Sequence, residues 1–172
     1  MNNIVNNSIF QPIDRRALEV YNSCVNFRIY VMENVRILLA DDNKNFRSGL
    51  AEFINNQLGF KVVGEANDGM EAIKLIDNVK PDIVLLDVSM PKLDGISTAR
   101  FIRKECSKMY IVIVTMHEEK VFKSYTDFIP VDGFINKSEI SEKLPKLLTS
   151  LKLKLSSVNS KLSDNKIPEK KV

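Results

Sequence analysis

Cysteine is scarce in this chain, glycine is sparse, long apolar runs are missing, and neither sign of charge dominates. The two cysteines, Cys24 and Cys106, show no metal-type spacing, so neither a disulfide framework nor a cysteine-rich metal site is expected. With no export signal ahead of them, they read as free thiols in a reducing compartment. The apolar stretches, such as Ile83–Leu86 and Met109–Val114, fall well short of the roughly 20 residues a membrane-spanning helix needs. The N-terminus has no basic region followed by an apolar stretch of signal-peptide length. The expectation is therefore a cytoplasmic protein without a membrane partner. The six glycines form no G-x-G-x-x-G or Walker-type loop after the first apolar strand, where Asp41-Asp42-Asn43 stands instead, and this disfavours a nucleotide-binding enzyme. The net charge of +3 is too small to argue for nucleic acid by itself. Part of the excess is local, with Lys161, Lys166, Lys170 and Lys171 set against Asp164 and Glu169.

The 172 residues and the 44% hydrophobic fraction suit one globular domain with tails. Residues 1–34 scatter asparagines among apolar residues without a sustained period and read as a disordered leader, with Met32 as an alternative start of translation. From Val35 the chain alternates between short apolar runs and helical spacing. Val35–Ala40 is a first strand. Phe46, Leu50, Phe53, Ile54 and Leu58 then recur on one helix face, with Gly59 as its stop. Phe60–Ala66 is a second strand, and Asp68-Gly69 opens a helix with Ala72, Ile73, Leu75 and Ile76 inward. Asp82–Asp87 is a third strand, Gly95–Lys104 a third helix, and Met109–Thr115 a fourth strand. Glu118–Phe128 is a weaker helix closed by Pro130, and Gly133–Lys137 a short fifth strand. A last helix runs from Ser141 to about Leu155, with Leu144, Leu147, Leu148 and Leu151 on one face and Pro145 near its first turn. Residues 156–172 remain as a basic tail.

Strands that are apolar throughout are buried on both faces, which means a parallel sheet covered by helices. Such sheets bind ligands at the carboxyl ends of their strands. Asp41 and Asp42, Asp87, Thr115 and Lys137 all fall there, after the first, third, fourth and fifth strands. A cluster of three carboxylates repels itself unless a cation sits among them, and Mg²⁺ favours one or two carboxylates together with water and phosphate oxygens. Asp87 is the candidate nucleophile for attack on phosphorus. Lys137 and Mg²⁺ would neutralise the transferring group, and Thr115 could hydrogen-bond it. Taken singly, each residue also has an ordinary reading. Asp42 and Asp87 could cap turns, Thr115 could be a plain strand residue, and Lys137 a solvated lysine.

Leu39-Ala40-Asp41-Asp42-Asn43, Leu86-Asp87-Val88-Ser89-Met90-Pro91-Lys92-Leu93-Asp94-Gly95, Thr115 and Gly133-Phe134-Ile135-Asn136-Lys137 resemble the receiver domains of two-component response regulators. The resemblance covers about residues 35–155. It implies a flavodoxin-like, doubly wound five-stranded parallel sheet in the order 2-1-3-4-5 with helices on both faces. It also implies a phosphoprotein of phosphorelay signal transduction. Asp87 would accept the phosphoryl group. Asp42, Asp87 and the backbone carbonyl of Ser89 would bind Mg²⁺ directly, and Asp41 through water. Thr115 and Lys137 would contact the phosphoryl group, and Phe134 would change rotamer with Thr115. A sensor histidine kinase or phosphotransfer protein would be the donor, and a downstream protein the target. The chain would be a switch and not an enzyme.

Phe46-Arg47-Ser48-Gly49-Leu50, Thr115-Met116-His117 and Lys137-Ser138 look most like the subfamily that continues into a DNA-binding helix-turn-helix. Residues 156–172 are too few for one, so a stand-alone receiver is expected, with a truncated or divergent DNA-binding regulator as the alternative. An aspartyl phosphatase is disfavoured because Ser89 stands where its second aspartate would. Met116 is large where the family is usually small. It either narrows access to the acyl phosphate or turns into the core. Pro130 and Thr126-Asp127 also depart from the family, which suggests a short or shifted fourth helix. Ser138 replaces a frequent proline.

Overall fold

Alternation within each apolar strand decides which helices cover which side of the sheet. The structure is a computed structural model that describes residues 34–106, 108–116 and 131–163, with side chains to Ser157. The elements are β1 (Val35–Ala40), α1 (Lys44–Asn55), β2 (Phe60–Ala66), α2 (Gly69–Val79), β3 (Ile83–Leu86), α3 (Gly95–Glu105), β4 (Tyr110–Thr115), β5 (Gly133–Asn136), a 3₁₀ turn (Lys137–Glu139) and α4 (Ile140–Ser163). All strand pairs are parallel, in the order β2-β1-β3-β4-β5. This is the expected flavodoxin-like order.

Ile37 and Leu39 of β1, Ile83 and Leu85 of β3, and Val112 and Val114 of β4 face one side. There they pack against Leu50 and Ile54 of α1 and Leu144, Leu148 and Leu151 of α4. The intervening residues Leu38, Ala40, Val84, Leu86, Ile111 and Ile113 face the other side, against Ala72 and Ile76 of α2 and Ala99 and Ile102 of α3. Two cores back to back explain why β3 is apolar throughout and why β1 and β4 hold their polar residues near their ends, Arg36 at the start of β1 and Tyr110 and Thr115 at either end of β4. Each buried Leu, Ile or Val contributes roughly 1.5–3 kcal/mol by leaving water. The segment expected as a helix over Glu118–Phe128, with its departures at Thr126, Asp127 and Pro130, lies outside the described residues. So do the leader and the end of the tail.

Three local expectations need correction. Helix α1 ends at Asn55, and Leu58 is almost fully exposed instead of facing inward. The Asn56 and Gln57 amides already close the helix onto Glu52 and Ile54, so the apolar period continues in sequence for a turn after the helix has stopped. Helix α4 runs to Ser163, past the expected end near Leu155, because residues 155–163 contain neither glycine nor proline. Pro145 lies in the second turn of α4 and not the first, so the helix lacks one amide donor there.

Candidate functional site

Among the described residues, β1, β2, β3 and β5 hand over to capped turns on the carboxyl side of the sheet, and the caps hold the polar residues in place. Asn43 caps α1 by accepting the Phe46 amide at 3.1 Å, and its own amide donates to Asp41 Oδ1 at 2.9 Å. Asp94 caps α3 through the Ser97 amide at 2.8 Å. Asn136 caps the 3₁₀ turn through the Ser138 amide at 2.9 Å. The backbone is fixed as well, since the Asp87 amide donates to Ala40 O at 2.8 Å and the Asp41 amide to Ala66 O at 3.1 Å. Gly95 lets α3 begin directly against the sheet, because a Cβ there would collide with the Asp87 carbonyl.

The residues read as candidates from four separate strand ends meet at one rim. Asp41, Asp42 and Asp87 each present an oxygen within 4.8 Å of the others. Asp41 and Asp87 are buried and Asp42 is exposed. Lys137 leaves β5 and places Nζ 2.7 Å from Asp41 Oδ2 and 3.1 Å from Asp87 Oδ1. The remaining Asp87 oxygen, Oδ2, accepts the Ser89 amide at 3.1 Å. Thr115 is buried at the end of β4, paired in register with Asn136, the residue before Lys137. Phe134 is half-buried and packs against the α2–α3 side of the core. Met116 is 69% exposed, which excludes the reading of this side chain as core filling.

Burial pushes the Asp87 carboxyl up from its ordinary value, with Asp41 adding repulsion, against the pull of Lys137 and the Ser89 amide. Burial works against the Lys137 charge too, but its hydrogen bonds to Asp41 and Asp87 outweigh that and hold the ammonium above its ordinary value. Two carboxylates flanking one ammonium, with a third carboxylate beside them, form a hard-oxygen donor set with surplus negative charge. That set fits a small divalent cation.

Two neighbours belong to the Phe46–Leu50 motif of the sequence but have no role at the site by sequence alone. The Phe46 ring lies 4.5 Å from Lys137 Nζ, a cation–π contact. Arg47 donates to the Asp41 carbonyl and to Glu65 Oε2, the latter at 3.2 Å. By spacing Phe46 reads as an apolar helix residue, and nothing in that spacing marks the ring as a cover for the distant Lys137.

A family model described as the response regulator receiver domain matches residues 37–149. The chain is 38% identical over 90 residues to the transcriptional regulatory protein LiaR of Bacillus subtilis, covering 51% of this chain and 43% of LiaR. It is 38% identical over 84 residues to a protein-glutamate methylesterase/protein-glutamine glutaminase of Lawsonia intracellularis, covering 49% of this chain and 24% of that protein. The chain thus spans less than half the length of either relative. Among solved structures it is similar to a two-component response regulator of the LuxR family from Aurantimonas sp. SI85-9A1. The TM-score is 0.65 and the identity 32%, with 69% of this chain and 85% of that one covered.

Proposed function

The chain belongs to the response regulator receiver domain family, and from that premise we propose that it is a phosphoacceptor switch whose acceptor is Asp87. The observation that carries this reading is the placement of Lys137 Nζ between Asp41 and Asp87, inside a cluster of three carboxylates. A carboxylate oxygen of Asp87 attacks the donor's phosphorus, the bond from phosphorus to the donor atom breaks, and an acyl phosphate forms. The donor is a sensor histidine kinase or a phosphotransfer protein. Asp41, Asp42 and Asp87, with the Ser89 carbonyl, would hold Mg²⁺. When bound, the cation supplies neutralisation of the phosphoryl oxygens.

The chain's own groups do the rest. Lys137 stays charged at neutral pH, because its two carboxylate partners hold its proton on, and its ammonium neutralises the incoming phosphoryl group. The Ser89 amide holds one Asp87 oxygen and so orients the carboxylate. Thr115 would hydrogen-bond the product. The added charge of about −1.5 to −2 would then bias the surface of β5 and α4 through Thr115 and Phe134, for a downstream protein in the cytoplasm. The chain would act as a switch and not as an enzyme. A second reading, transcriptional output through DNA, draws support from the likeness to LiaR. A mobility shift of the full chain on DNA that depends on the phosphodonor would favour it.

Intact-mass spectrometry of the full chain with Mg²⁺ and acetyl phosphate tests the main reading. A single added phosphoryl group that requires Mg²⁺ is expected. No mass gain with either acetyl phosphate or a phosphorylated kinase would overturn it.

A further inference from the structure

The connection from Asp87 to Gly95 carries Ser89 and folds back on itself, with the Gly95 amide donating to Val88 O at 3.1 Å. Its outer side is pinned to a different part of the chain, the turn between β2 and α2. Lys92 Nζ lies 2.6 Å from Asp68 Oδ2, and the Gly69 amide donates to Leu93 O at 3.1 Å. The approach is so close that a side chain at Gly69 would collide with Thr98 Oγ1 and meet the Leu93 carbonyl.

Two features show that this is more than helix capping. Asp68 caps α2 with one oxygen only, since Oδ1 takes the Glu71 amide at 2.9 Å while Oδ2 is left for Lys92. The Asp68 side chain is 1% exposed, so its charge has few water molecules to rely on and the ammonium is its cationic partner. Lys92, in turn, sits at φ +60, a left-handed backbone that glycine adopts more readily than lysine. A sparsely populated backbone conformation persists where the surrounding contacts over-determine it, and the Asp68 contact is one of those around Lys92.

We propose that the Asp68–Lys92 pair is a latch that positions the loop between Asp87 and Gly95, and that both are positioning residues for cation binding and phosphoryl capture at the rim. The inference rests on the phosphoacceptor reading above. The latch holds the far side of the loop still while the near side presents the Ser89 main chain to Asp87. Releasing it leaves the carboxylates in place but lets the Ser89 peptide drift.

The test measures Mg²⁺ binding to the full chain by calorimetry, thermal midpoints without Mg²⁺, and labelling by acetyl phosphate. Asp68→Asn keeps a capping side chain and removes the ion pair. Lys92→Gly suits the left-handed backbone and removes the ammonium, so it keeps the fold. Each variant is expected to weaken Mg²⁺ binding about three- to tenfold, less than many outer-shell losses because Lys92 is largely exposed. The double variant is expected to be no worse than either single one, and Lys92→Arg to restore near-normal binding. Affinities equal to the unaltered chain, or losses that add in the double variant, would overturn the latch while the unaltered chain still labels. If the unaltered chain neither binds Mg²⁺ nor labels, the phosphoacceptor reading fails and the latch fails with it.

Discussion

At the amino ends of the strands, Arg103 meets Asp132 at 2.6 Å, and the same Asp132 oxygen also accepts the Ile111 amide at 2.8 Å. Arg36 there donates to the carbonyls of Val79 and Lys80, and its amide to Asp82. At the rim around Asp87, the Lys137 ammonium sits among the three carboxylates of Asp41, Asp42 and Asp87. The two ends use similar residue types for different purposes. At the base, Arg36 and Arg103 each have an anion or carbonyl, so these charges pin α2 and α3 to the sheet. At the rim, the charges do not balance, and the excess is what an incoming cation or phosphoryl group would relieve. The base also holds an open cleft of about 820 Å³. Its charged walls mix both signs, with Asp77, Lys80, Arg103, Glu105, Lys108 and Asp132. Size therefore does not mark the reactive end, whereas charge imbalance does.

The contrast breaks most completely at Asp87. Asp87→Asn should abolish labelling while the fold persists. The sign on stability also follows. The carboxyl is raised in the folded state, so its contribution is greatest in acid and declines as pH rises through the raised value. The neutral amide should thus unfold at an equal or higher temperature than the native chain at neutral pH. Full labelling of the amide variant would remove Asp87 from the acceptor role. The same shift predicts that labelling of the native chain falls off on the acid side earlier than an ordinary carboxylate would allow, read as initial rate against pH.

Removing Asp42 should be next in size. Asp42→Ala is expected to weaken Mg²⁺ at least about tenfold, because such sites depend on few charged ligands. Unchanged affinity by calorimetry would separate the acidic cluster from the metal. Arg103→Met sharpens the comparison from the other end. It should cost about 1–3 kcal/mol, discounted because the pair is partly exposed, and leave the labelling rate alone. A labelling defect that persists at temperatures where the variant is folded would mean that base and rim are coupled. The smallest effect concerns Met116, exposed beside Thr115. Met116→Ala is expected to shorten the lifetime of the acyl phosphate severalfold, on the order of 1 kcal/mol in the barrier. An equal or longer lifetime after donor removal would reject a gating role for the thioether.

The rim could be read in the sequence because it falls where buried strands end. An aspartate directly after Ile83–Leu86, or a lysine directly after Gly133–Asn136, is conspicuous against an apolar run. The strand limits were legible to within a residue for the same reason. What escaped was whatever depends on contacts between distant turns. Asp68 reads in the sequence only as a helix opener and Lys92 only as one residue of the Leu86–Gly95 motif, because neither their ion pair nor the left-handed backbone at Lys92 leaves a local pattern. Leu58 misled in the opposite direction, its spacing fitting a helix that had already closed. The far end of α4 was missed because solvated lysines and serines read equally well as tail or as helix.

Strand β5 has four residues and, among the described residues, pairs only with β4, at the margin of the sheet. Lys137 is therefore delivered to the rim by the least supported strand, while Asp41 and Asp87 leave the two strands at its centre. Short marginal strands open more often than central ones, in local fluctuations that do not unfold the domain. Each such opening would withdraw the ammonium and leave the carboxylates facing one another without it. Chemical competence at Asp87 would then follow a kinetic clock set by β5, and the amide exchange rates of Phe134 and Ile135 would report how often that clock ticks.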